Sequence, residues 1–176
     1  TAYGGDRLDP KVSQHPGLIR IEHSSIDDPS KGGVTFTPIS GVPNGIGYWE
    51  KEDAIVIVTM GGSDKLGGTA IYKVPASTFP MKEIPIPLFD NVGTADGIAV
   101  TPKGTIITSR FSGDLLAIPF NGEPRPLIME PFVAPADHRL LTLNNGTSIL
   151  AVPEQDRSDP NPWKQNVKII RLPENF

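Results

Sequence analysis

Cysteine is absent from this chain of 176 residues, so it has no disulfide, thiolate metal site or thiol nucleophile. That absence does not fix a compartment. Basic residues are outnumbered: 16 Lys and Arg stand against 20 Asp and Glu, giving a net charge of −4 with no basic patch. Nucleic acid is therefore not an expected partner. Long hydrophobic runs are missing as well. The longest, such as AIVIV at 54–58, fall far short of the roughly 20 residues a spanning helix needs, so no membrane partner is expected. No signal peptide is visible, although a chain cut from a longer one would have lost it. Sustained i, i+3, i+4 apolar spacing is also lacking, which leaves little room for long helices.

Turn-forming residues are abundant instead. The 18 Gly and 19 Pro are spread along the chain, and apolar residues make up 38% of it. That composition suits a folded domain of many short strands joined by turns. Three stretches share one plan. The first is GVPNGIGYWEKEDAIVIVT, a Gly-rich loop and TAIYKVP. The second is GTADGIAVTPKGTIITS, the loop RFSG and DLLAIPFNGEPR. The third is APADHRLLTLNNGTSILAVPE, a polar loop and VKIIRLP. Each opens on a small residue or Pro followed by Asn or Asp. A short apolar strand, a turn, a β-branched strand, a loop and an alternating strand then follow.

The anchors Asn44, Asp96 and Asp137 are spaced by 52 and 41 residues. A period of about 40–50 residues carrying roughly four strands predicts an all-β fold of propeller blades. A sandwich also offers short strands, but has no reason to repeat one carboxamide or carboxylate at the same point of each unit. The units divide the chain into a partial blade at 1–40, blades at 41–90 and 91–130, and a last blade at 131–176. PGLIRIE at 16–22 matches a third strand, and TAYGG sits where the other units end their second. The expectation is about three blades plus part of a fourth. Propellers close to remove their edges, so a second polypeptide, either another fragment of the same gene or a symmetry mate, is expected to complete the ring.

Pro43-Asn44-Gly45-Ile46 with IVIVT after it, and Ala95-Asp96-Gly97-Ile98-Ala99-Val100 with GTIITS after it, resemble the senescence-marker-protein/gluconolactonase family of six-bladed propellers. The resemblance covers 41–176 in register and 1–40 weakly. It implies that Asn44 and Asp96 bind one divalent cation, calcium in most of the family, within the central tunnel. It also implies that a Glu and an Asn from earlier blades complete the ligand set, which places them on the N-terminal half as a separate chain. The activity implied is opening of a lactone or related ester, a small-molecule substrate, with Asp96 as base beside the metal. Asn-Gly and Asp-Gly are also favoured turn pairs, and that simpler reading stays open for each. Asp137 stands at the same point of the last unit with His138 after it, and both are candidates for the tunnel mouth, His138 as an acid or base.

Thr1 raises a different chemistry, because the chain begins with Thr rather than Met. Trimming of an initiator methionine or an external nick accounts for it. If self-cleavage made it, its amine would act as base for its own hydroxyl, as in an N-terminal nucleophile hydrolase. The loop after a blade's second strand lies on the same face as the turn opening the first, so Thr1 is expected on the Asn44 and Asp96 face. Gly4 and Gly5 amides or Asn44 would then serve an oxyanion. Two enzyme readings and a noncatalytic small-molecule-binding propeller therefore stand together. His15 and His23 have no ligand spacing and read as solvated, and Tyr48 and Trp49 as blade core or tunnel lining. Asn145-Gly146-Thr147 reads as a sequon or a hairpin turn, and 154–166 as a long loop.

Overall fold

The run AIVIV is apolar on both faces of a strand, so it must be covered on both sides. In the computed structural model it forms β5 (Ala54–Met60), the middle strand between β4 (Val42–Trp49) and β6 (Ile71–Pro75). Val56 and Val58 pack to one side and Ile57 to the other, each fully buried. The structure describes residues 2–3, 16–60, 69–78, 81, 83, 85–119, 121–128, 132–155, 166–174 and 176.

Three further antiparallel sheets repeat the pattern. The first holds β1 (Ala2–Tyr3), β2 (Gly17–Ile21) and β3 (Val34–Pro38) in that order. The third holds β7 (Ala95–Val100), β8 (Ile106–Arg110), β9 (Asp114–Ile118) and β10 (Arg125–Ile128). The fourth holds β11 (Arg139–Thr142), β12 (Ser148–Glu154) and β13 (Asn166–Arg171). The strands expected to begin near Ala54, Thr105 and Ser148 in separate four-stranded sheets lie in three separate sheets, of which, among the described residues, the one holding β8 has four strands and the other two have three. One five-residue helix, α1 (His23–Asp27), joins β2 to the turn before β3. Among the described residues no helix is long and apolar enough to cross a membrane.

Each sheet packs face-on against the next. Leu18, Ile39, Ile57, Tyr72 and Val74 fill the layer between the first and second sheets. Trp49, Val56, Val58, Ile98, Ile106, Leu116 and Ile118 fill the second layer, and Ile107, Leu115, Leu150 and Val152 the third. Gly104 locks the second layer. It adopts φ +86°, and a β-carbon there would run into Trp49 Cζ2. The indole can lie over the β7–β8 turn only because that position carries no side chain.

Candidate functional site

The strands β4, β7 and β11 open their sheets and lie beside one another, and each begins with a register irregularity. In β4, Pro43 pairs with Thr59 and Gly45 with Val58, so Asn44 is the extra residue of a bulge. In β7, Ala95 pairs with Arg110 and Ile98 with Thr108, so Asp96 and Gly97 face Ser109 alone. Before β11, Pro135 bridges Glu154 and Arg139 pairs with Ala151, again one residue out of step. Bulges re-aim side chains and recur beside functional sites. All three stand at the same end of their sheets, where β5, β8 and β12 finish.

Close backbone approach sets the bulges side by side. A β-carbon on Gly45 would lie 2.7 Å from the Asp96 carbonyl oxygen, and one on Gly97 would lie 2.6 Å from Asp137 Cα. Asn44 therefore neighbours Asp96, and Asp96 neighbours the Asp137–His138 step. Asn44 and Asp96 are half-buried, Asp137 is exposed, and His138 is 5% exposed. Leu140 packs toward the third sheet as Ile98 packs toward the second.

His138 is fixed by its surroundings. Its Nε2 lies 3.1 Å from the Ile107 carbonyl oxygen, its amide donates to Asp137 Oδ1 at 3.0 Å, and its Nδ1 makes no hydrogen bond. Nε2 donates to that carbonyl, which leaves Nδ1 the bare nitrogen. Burial lowers the imidazole pKa, against the smaller opposing pull of the Ile107 carbonyl, the Asp137 charge and the Ala136 carbonyl. Ile46, Tyr48, Ile98, Val100, Asp137 and His138 line one wall of a cavity of about 580 Å³ along β4, β7 and β11. Tyr48 is 55% exposed there, and its hydroxyl donates to Asp53 Oδ1 at 2.7 Å. Trp49, by contrast, is core.

Hydroxyl side chains hold the second bulge. Ser109 Oγ accepts the Gly97 N–H at 3.0 Å and donates to the Ala136 carbonyl at 2.8 Å. Thr108 Oγ1 donates to the Gly97 carbonyl at 2.7 Å. Sequence reasoning missed this pair, which reads there as two ordinary strand residues. Thr1, Gly4, Gly5 and His15 lie outside the described residues. His23 is solvent-exposed, 3.9 Å from Asp27. Asn145 Oδ1 accepts the Thr147 N–H in an exposed turn. Among the described residues no three His, Cys, Asp or Glu side chains gather into a metal-holding group. Asn44 and Asp96 supply two hard oxygen donors of the kind calcium takes, and the rest of a coordination shell would come from other groups.

No family model and no curated protein matches the sequence. Solved structures match by fold, among them the following two. A chain from a nidogen/laminin complex matches with a TM-score of 0.60 at 15% identity, over 88% of this chain and 57% of that one. A gluconolactonase from Xanthomonas campestris matches with a TM-score of 0.53 at 16% identity, over 99% of this chain and 56% of that one. The fold is a β-propeller. Its four sheets are blades, and β4, β7 and β11 are the inner strands of the second, third and fourth. The chain spans just over half the length of either neighbour.

Proposed function

We propose that the chain is part of a propeller hydrolase of the gluconolactonase kind, opening a lactone or related ester beside a divalent cation, calcium by its donors. The observation that carries the reading is the bulge shared by adjacent inner strands, which brings Asn44 and Asp96 next to each other. A carboxylate and a carboxamide oxygen suit a hard cation. When bound, such a cation polarises an ester carbonyl. Asn44 and Asp96 would hold it, and the Asp96 carboxylate would accept the proton of the attacking water. The ring C–O bond then breaks, its oxygen takes up a proton, and a hydroxy acid leaves. The remaining donors would come from a second chain carrying the other blades.

The test is hydrolysis of a small set of lactones and aryl esters by the protein as purified, with and without chelator. Asp96→Ala should lower turnover by about 10²- to 10⁴-fold, the usual worth of a positioned base, and Asn44→Ala should abolish the response to calcium. Chelator-insensitive turnover that vanishes in Thr1→Ala would replace this reading with the N-terminal nucleophile. The nidogen/laminin neighbour favours a second reading, a noncatalytic binding propeller. Calcium-dependent retention of a ligand without its turnover would select it.

A further inference from the structure

The bulge at Asp96 is built differently from the one at Asn44. In β4 the bulge packs against Val58, whose Cγ1 would lie 3.0 Å from a β-carbon on Gly45. The residues of β5 that stand where β8 has Thr108 and Ser109 are Ile57 and Val58, both apolar and fully buried. The Asp96 bulge has hydroxyls instead. A bulge leaves ladder donors and acceptors without their usual partners, and burial makes each such group costly. Here Thr108 Oγ1 satisfies the Gly97 carbonyl and Ser109 Oγ satisfies the Gly97 N–H. Both hydroxyls are fully buried. They hold both polar groups of the residue that follows Asp96.

Ser109 also reaches the next blade. The hydroxyl that accepts from Gly97 donates to the Ala136 carbonyl, one residue before Asp137. Because a hydroxyl has one proton, acceptance from Gly97 and donation to Ala136 fix its rotor completely. One side chain thereby sets the relative height of the Asp96 bulge and the Asp137–His138 step. Ile57 and Val58 have no hydroxyls with which to tie the Asn44 bulge in this way.

We infer that Thr108 and Ser109 are positioning residues for Asp96, holding its backbone, and through Ala136 the neighbouring blade, in the geometry that presents the carboxylate. The inference rests on the proposed metal-assisted function. Groups that orient a ligand typically change metal affinity about 10- to 100-fold when lost, whereas a hydrogen bond that serves stability alone moves only unfolding. The test is calcium binding by calorimetry on the intact protein as purified, at a temperature where every variant is folded. Ser109→Ala and Thr108→Val should each weaken calcium binding about tenfold or more, and Thr108→Ser and Ser109→Thr should restore most of it. Thr108→Val keeps the side-chain shape, so it remains informative if Ser109→Ala does not fold. Wild-type affinity in folded Ser109→Ala and Thr108→Val, with binding lost in Asp96→Ala, would overturn the positioning role while leaving the proposed function standing. A wild-type protein that binds no calcium would overturn both.

Discussion

Burial pushes the His138 imidazole below its ordinary pKa range, and its environment says why. Nε2–H donates to the Ile107 carbonyl, and Nδ1 has no partner among the described residues. The groups that face it are the Gly97 backbone of β7, the Ile107 carbonyl of β8, and the Ala136 carbonyl and Asp137 on its own segment. Burial against Gly97 disfavours the charged ring, and this outweighs the Ile107 and Ala136 carbonyls and the Asp137 charge, which favour it. The folded pKa accordingly lies below the ordinary value of about 6.5. The unfolded chain then binds the extra proton more readily, so stability rises with pH across that window. The contribution is complete above the unfolded pKa and is lost as pH falls below it. Melting midpoints should decline between about pH 6.5 and 5, before ordinary carboxylates titrate, and His138→Gln should flatten that decline. An unchanged slope in the variant would remove His138 as the cause. Gly97 is the other sensitive residue at this seam: Gly97→Ala would drive a methyl into Asp137 Cα and should destabilise by about 1–3 kcal/mol in denaturant titration.

Elements were legible wherever short β-branched, apolar runs stood between turn signals. IVIVT, TIITS and SILAVP became the central strands β5, β8 and β12, each buried on at least one face by a neighbouring sheet. The turns EKED, TPKG and LNNG were legible for the same reason, since turn chemistry is local. Two things were not. The helix α1 is only five residues long and has no side-chain cap at Glu22, so no capping pattern announces it. The hydroxyl clamp was hidden likewise, because Thr and Ser in a strand carry no pattern of their own. Between elements, the β7–β8 turn depends on Gly104, where φ is +86° and Trp49 covers the site. Gly104→Ala meets both strain and the indole, and should cost about 1–3 kcal/mol or more by thermal or chemical unfolding. Near-wild-type stability would mean that Trp49 can move aside without loosening the layer between the second and third blades.

At the scale of the molecule, the two end blades resemble the middle blades with one cover removed. In the second and third blades the strand faces that meet a neighbour are fully buried, as at Ile57, Val74, Ile107 and Leu115. In the first blade the outward face carries Ile21 at 47%, Val34 at 59% and Phe36 at 42% exposure. In the last it carries Leu141 at 44%, Val167 at 61% and Ile169 at 62%. Apolar faces on both outer sheets exceed the scattered exposure a surface tolerates, and sheets of this kind are stable when both sides are covered. The four blades span 56–57% of the propeller neighbours, so what would cover both faces is the remainder of one ring. We propose that a second chain carrying those blades packs on both faces at once. Native mass spectrometry of the protein as isolated should then give a particle heavier than the 18.9 kDa chain. The added component should crosslink both to the Phe36 face and to the Ile169 face. Val167→Lys with Ile169→Lys should split the particle, because two charges would be buried without partners. The same pair of changes on the exposed surface of a lone chain should leave its mass and its melting unaltered. A monodisperse particle of 18.9 kDa that binds no hydrophobic dye would overturn the half-ring reading.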